Sequence, residues 1–325
     1  MKPSEILYLS YEDVKNLNIT MKEVVERVED VFRFKGLGRY EMPPKPGIHT
    51  MPDAFIHAMP AYLPDLRSGG MKWVSGYPEN YKRGLPYISG LLILNDTETG
   101  VPIAVMDCTW ITTMRTGAAT AVAAKYLARS DSTTIGILGC GAQGRSNLEA
   151  LFVVLEGITT VKAYDILPQV QENYVEEMKK KFDCEVVGVV SPKEAVVGSD
   201  IVVTAAPIVK NRTPVIEDSW FKAGAFASPV DVDSYWETNA LLSVDKFCVD
   251  DIPQVMYFKS DGYLKALPEI YAEIGEIVAG KKPGRENDQE RTMSMNLGLA
   301  LEDIGVAIHI YHKALEKGVG IKLML

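Results

Sequence analysis

The stretch Thr133-Thr-Ile-Gly-Ile-Leu138 followed by Gly139-Cys-Gly-Ala-Gln-Gly144 and Arg145-Ser-Asn-Leu-Glu-Ala-Leu-Phe-Val-Val154 decides the fold. It reads as an apolar strand, a complete GxGxxG turn and a helix. A lone GxGxxG is weak, but a strand before it and a helix after it supply the context the pattern needs. Gly139 permits the tight turn, Gly141 lets the backbone approach a pyrophosphate, and Gly144 lets helix and strand pack closely. With Ala142 and Gln143 these glycines present free N–H groups at a helix start, where negative charge is favoured. The next apolar run, TTVKAYD, ends at Asp165, 26 residues past Gly139 and slightly beyond the usual interval of about 20. A carboxylate there accepts from a ribose 2′-hydroxyl. Ile166, Leu167 and Pro168 after it offer no cation for a 2′-phosphate, so NAD is expected rather than NADP.

Outward from that turn the pattern keeps alternating. PQVQENYVEEMKKKF reads as a helix and CEVVGVV as a strand. SPKEAVVGSD contains a short helix, and IVVTAAP, AGAFASP and KFCVDD read as further strands. This predicts a Rossmann-type, doubly wound parallel sheet. Thr204, near the end of IVVTAAP, is a candidate cofactor contact. Before the turn the texture differs. Thr20 and Glu23 form a capping box ahead of a helix to Phe34. From Ala54 to Asp107 short apolar runs are separated by Pro and Gly, and NDTETG reads as a hairpin turn. That segment predicts a mostly antiparallel sheet. A small-residue helix follows from about Thr109 to Arg129. The last helix is expected over Ser294–Lys317, after the parallel sheet is complete, with its second half back on the N-terminal domain. The expected domains are therefore 1–115 with 302–325, a discontinuous α+β substrate and dimerisation domain, and 116–301, the nucleotide domain.

The chain has 325 residues, 47% hydrophobic and 24% charged, which suits two ordinary globular domains. Its net charge of −9 argues against nucleic-acid or anionic-membrane partners. No apolar run is long enough to span a membrane, and MKPSEILYLS lacks a secretory pattern. Cys108, Cys140, Cys184 and Cys248 form no CxxC and read as reduced thiols of a cytoplasmic protein. No His/Cys cluster suggests a metal.

Three cations have unusual neighbours. Lys72 lies in GGMKWV, Arg115 in TTMRTG and Lys45 in MPPKP. A buried cation needs a partner. Internal salt bridges are the plain explanation; a shared carboxylate ligand, gripped by the Arg115 fork, is the sharper one. His57, in AFIHAMP, alternates into a strand and is read as a residue that orients a carboxylate or exchanges a proton near neutral pH.

AMPAY (58–62), MKWVSGYPEN (71–80), TETGVPIAVMD (97–107), TTMRTGAATAVAAKYLAR (112–129) and GCGAQG (139–144), in this order and spacing, make the chain resemble the ornithine cyclodeaminase/mu-crystallin family. The resemblance spans nearly the whole length. It implies a dimeric, nicotinamide-dependent enzyme of amino or cyclic imino acids. The family's carboxylate-binding Lys and Arg fall on Lys72 and Arg115, and a further Arg falls near Lys45. Its catalytic Asp falls on Asp231, with Asp233 a close competitor because residues two apart on an extended chain point the same way. Lys72 is also expected near the reacting group. The position of a glutamate in ornithine cyclodeaminases is His57 here, and VDVDSYWE replaces the usual motif after the strand. Both departures turn the expectation from ornithine toward an NAD-dependent dehydrogenase or imine reductase. The alternatives are redox-neutral cyclodeamination and a non-catalytic mu-crystallin-like binding protein.

Overall fold

The computed structural model describes residues 5–325; the leading stretch read for a secretory signal begins outside them. The chain divides into two compact units, residues up to Arg115 with Gly298–Leu325, and Thr116–Leu297. The second crossing falls at 297/298, where the sequence reading set it at 301/302.

The first unit contains β1 (Glu5–Leu9), α1 (Tyr11–Asn16), α2 (Met21–Gly36), β2 (Gly47–Ile48), β3 (Phe55–Leu63), β4 (Ser68–Gly76), β5 (Ile88–Asn95) and β6 (Pro102–Asp107). Thr20 caps α2 through the expected box with Glu23. Asp96 closes the β5–β6 turn by accepting from the Glu98 and Thr99 N–H groups, and Gly100 takes φ +74°. From β6 the helix α3 (Thr109–Leu127) carries the chain into the second unit.

There the order is β7 (Thr134–Leu138), α4 (Ala142–Val154), β8 (Thr160–Tyr164), α5 (Pro168–Lys181), β9 (Glu185–Gly188), α6 (Pro192–Val196), β10 (Ile201–Thr204), β11 (Phe226–Pro229), α7 (Thr238–Leu242), β12 (Lys246–Val249), α8 (Ile252–Ser260), β13 (Ile270–Glu273), α9 (Ile274–Val278) and β14 (Thr292–Met295). The first unit is then completed by α10 (Ala300–Lys317) and β15 (Ile321–Met324).

The sheet of the first unit runs β15-β1-β6-β5-β4-β3-β2 and is antiparallel except where β1 joins β6. Register separates its faces. Met59, Lys72, Leu92 and Met106 form one buried rung, on the side α10 covers. Ala58, Trp73, Leu91 and Asp107 form the next rung on the other face, where Trp73 and Leu91 stay 44% and 46% exposed.

The second unit is an all-parallel sheet in the order β13-β12-β14-β11-β10-β7-β8-β9. It corrects the expectation for the last helix. Ser294 lies in β14, which inserts between β11 and β12, so the sheet is not complete until just before α10. All four β14 residues are buried. A strand buried on both faces shows no alternation and reads as apolar helix. Gly298, at φ +83°, then breaks the chain direction ahead of α10. Among the described residues no helix is long and apolar enough to cross a membrane.

The close approach of α10 to α2 depends on Gly305, where a Cβ would sit 2.5 Å from Val31 Cγ2. Gly305→Ala gains helix propensity of about 1 kcal/mol but overpacks a site that costs about 1–3 kcal/mol to enlarge. Thermal melts should show a net loss of stability; a rise in melting temperature would contradict this packing.

Candidate functional site

In the first unit, β4 carries Lys72 into the covered face and the first half of α3 presents Arg115. Both are met by the first turn of α10. Lys72 Nζ lies 2.6 Å from Asp303 Oδ2 and 3.4 Å from Thr112 Oγ1. Arg115 donates through Nε to Asp303 Oδ1 at 3.2 Å and through Nη1 to Glu302 Oε2 at 2.9 Å. The sequence reading missed both carboxylates. Lys45 Nζ donates to the Gly298 carbonyl at 3.2 Å. All five charged groups are buried. Glu302 and Asp303 thus meet Arg115 and Lys72, while Lys45 meets a backbone carbonyl. Burial lowers the Lys72 ammonium, with Asp303 opposing, and raises the Glu302 carboxyl, with Arg115 opposing.

His57 lies on β3 opposite Gly47, whose missing side chain leaves room for the ring: a Cβ there would be 2.3 Å from His57 Cδ2. The imidazole stacks on Phe55 at 4.3 Å between centroids. Burial first, then the charges of Lys45, His49 and Lys72, push it down to about 3. His57 is therefore neutral at physiological pH, which overturns the expectation of proton exchange there. It remains a hydrogen-bonding group beside the cations. His309 faces Glu23 at 3.5 Å, on α10 against α2.

In the second unit, the glycine turn has the geometry that a dinucleotide requires. Gly139 takes φ +100°, and a Cβ on it would lie 2.6 Å from the Ala205 carbonyl. A Cβ on Gly144 would lie 2.2 Å from the Gly139 carbonyl, so strand and helix can touch only through glycine. Nothing stands within 4 Å of where a Gly141 Cβ would be, and no side chain caps the start of α4 there. Gly141 and Ala142 are exposed and Gln143 half-buried, leaving that helix end open to an anion. Asp165, just past β8, accepts from the Cys140 N–H at 2.8 Å and the Leu167 N–H at 2.9 Å. It braces the turn. Burial and Asp165 push the Cys140 thiol up to about 12, so it is not a nucleophile. Among the described residues no cluster of His, Cys, Asp or Glu is arranged to hold a metal.

Asp231 lies in the turn just after β11. It is fully buried, accepts from Thr204 Oγ1–H at 2.5 Å and accepts from the Ala206 N–H at 3.2 Å. Thr204, expected as a cofactor contact, thus has its hydroxyl on Asp231, and it also accepts from Trp236 Nε1 at 3.3 Å. Ala205, between these two donors, is the residue that packs on Gly139. Burial outweighs the hydrogen bonds and pushes the Asp231 carboxyl up to about 7. The two aspartates do not point alike. Val232 between them takes φ +65°, a strained conformation for a β-branched residue. The turn sends Asp233 to Arg212, 3.0 Å from its Nε.

Sequence and structure comparisons show what the chain as a whole is similar to. The ornithine cyclodeaminase/mu-crystallin family pattern matches residues 5–318. The chain is 38% identical to the alanine dehydrogenase of Archaeoglobus fulgidus over 98% of both chains. A solved Thermococcus litoralis Delta(1)-pyrroline-2-carboxylate reductase, in complex with NADH and L-proline, superposes with a TM-score of 0.88. The two are 39% identical, with 98% of this chain and 100% of that one covered. An archaeal alanine dehydrogenase dimer with bound NAD superposes with a TM-score of 0.89 at 36% identity, covering 99% and 100%.

The environment of Asp231 has a measurable consequence. Its folded value of about 7 lies above the ordinary 3.8, so its contribution to stability is full below 3.8 and lost as pH rises through about 7. Asp231→Asn removes that loss. Its melting temperature relative to the parent should climb between pH 5 and pH 8, by the equivalent of about 2 kcal/mol. A difference that does not vary with pH would show that the carboxyl is not perturbed.

Proposed function

The chain belongs to the ornithine cyclodeaminase/mu-crystallin family, and we propose how its residues perform the chemistry of an NAD-dependent oxidoreductase of small α-amino or cyclic imino acids. That it is an enzyme of this class follows from its relatives. The roles of its residues are our reading.

One observation carries that reading: a carboxyl poised near 7 accepts from Thr204 and Ala206, which flank the Ala205 that packs against the glycine turn. The C-terminal edge of an open parallel sheet is where ligands bind. Nicotinamide, when bound, accepts or returns a hydride. Gly139, Gly141, Ala142, Gln143 and Gly144 hold the pyrophosphate through backbone N–H groups and close packing, and Asp165 takes the ribose. Thr204 acts through Asp231, whose carboxylate it orients. Asp231 removes a proton from the amine as the imine forms and supplies it in the reverse direction. Asp233, engaged by Arg212, does not take that role.

Arg115, Lys72 and Lys45 receive the substrate carboxylate, the Arg115 fork gripping it. His57 donates a neutral hydrogen bond beside them. The uncharged His57 stands where ornithine cyclodeaminases carry a glutamate, so a second substrate ammonium lacks that carboxylate. This supports a neutral amino or imino acid over ornithine. Holding the carboxylate fixes the reacting carbon, an orientation effect worth several kcal/mol, up to about 7–11 in well-oriented cases.

The protein is read as a cytoplasmic homodimer. The exposed Trp73–Leu91 rung and the apolar, exposed β15 edge support an interface between copies. The four free cysteines suit a reducing compartment.

Assays of alanine with NAD, pyruvate and ammonia with NADH, and Delta(1)-pyrroline-2-carboxylate with NADH test the activity. Net change in NADH is expected; ammonia release from ornithine with no net change would favour cyclodeamination instead. Turnover of amino-acid oxidation should rise as pH passes through about 7, and imine reduction should fall. Asp231→Asn should cut turnover about 10²–10⁴-fold while NADH affinity holds. Asp233→Asn should cost less than about tenfold on that scale; the reverse ranking would reassign the acid/base role.

Cofactor choice is separately testable. The parent should bind NADH more tightly than NADPH, and Asp165→Ser with Ile166→Arg should reverse the order. Asp165→Ser alone should also weaken NADH, because the Cys140 N–H loses its acceptor. Equal binding of both cofactors by the parent would contradict the role of Asp165.

A further inference from the structure

Glu302 and Asp303 have no part in the reaction as described, yet they touch two of its three cations. Asp303 spans Lys72 and Arg115 with its two oxygens, so the width of one carboxylate sets the spacing of the two cations. Glu302 meets a second nitrogen of the Arg115 fork. Contact at Nε and Nη1 together fixes the plane of the guanidinium as well as its place. The same short stretch provides the remaining contacts. A Cβ on Gly298 would lie 2.4 Å from Arg115 Nη1 and 2.7 Å from Nη2, so the guanidinium occupies the space a side chain would need. The Gly298 carbonyl holds Lys45. Residues 298–303 thus seat all three cations.

Electrostatics alone gives this arrangement no advantage for binding an anion. A carboxylate beside the clamp repels a substrate carboxylate. Nor is Glu302 a well-satisfied ion-pair partner, because its Oε1 is buried without a hydrogen-bond partner. We propose that Glu302 and Asp303 are positioning residues, which set substrate affinity by holding Arg115 and Lys72 in the arrangement that receives a carboxylate. The first turn of α10 is then part of the specificity apparatus. The inference rests on the clamp reading above.

Steady-state kinetics of the cofactor-loaded enzyme test it, using Glu302→Gln, Glu302→Asp, Arg115→Lys and the double variant Glu302→Gln/Arg115→Lys. If Glu302 positions Arg115, Glu302→Gln should raise KM for the amino or imino acid about tenfold and change KM more than kcat. Glu302→Asp keeps the charge but withdraws the oxygen, and should raise KM too. The Glu302→Gln and Arg115→Lys effects should fall short of multiplying, as expected for groups that act through one another. A KM that falls in Glu302→Gln, or stays at the parent value in both Glu302 variants while Arg115→Lys raises it, overturns the positioning role. An unchanged KM in Arg115→Lys overturns the clamp reading instead. Should Glu302→Gln fail to fold, Glu302→Asp decides by the same readout.

Discussion

The carboxylate of Asp303 ties Lys72 to Arg115 inside the first unit, and the topology follows from the need for that tie. A strand and a helix deliver two cations into a buried face. Removing one partner of a buried ion pair typically costs about 3–5 kcal/mol, because the other charge is left uncompensated. The carboxylates come from α10, 188 residues beyond Arg115 for Asp303. The N-terminal sheet is therefore electrostatically incomplete until the chain has built the whole second unit and returned. Gly298 and Gly305 serve the same end. One leaves space for the guanidinium, and the other lets α10 settle against α2.

In the second unit the corresponding constraint is backbone crowding at the sheet edge. Gly139, Ala205 and Gly144 approach so closely that the first and last admit no side chain. That crowding leaves the N–H groups at the start of α4 exposed and draws the segment after β10 over the turn. Asp231 hydrogen-bonds to this segment, and burial outweighs those hydrogen bonds. Val232 accepts strain so that adjacent acidic residues can do different things. Asp231 stays under the strand ends, and Asp233 anchors Arg212. Residues in sparsely populated conformations cluster at functional sites, where surrounding structure holds them.

Much of this was legible from residue order because it is local. The capping box at Thr20 and Glu23, the Asp96 turn and the strand–glycine–helix unit each involve residues a few positions apart. The cations at 45, 72 and 115 were visible as charges among apolar or small residues. Other features left no local trace. The strand β14 lacks alternation because both its faces are buried, so its last two residues, Ser294 and Met295, joined the helix that follows them. Asp231 and Asp233 looked equivalent on an extended chain, and only the positive φ of Val232 separates them. His57 looked like a titrating group until burial and two lysines made it neutral.

The sequence by itself determined the fold class, the dinucleotide turn and the identity of the cations, because helix caps, glycine turns and apolar periodicity act through neighbouring residues. Only the tertiary structure decided which carboxylates hold those cations, which aspartate carries a shifted proton and where the sheet ends. Those outcomes depend on burial and on contacts between residues far apart in the chain, and no spacing along a sequence encodes the dielectric around a carboxyl or the partner that reaches it.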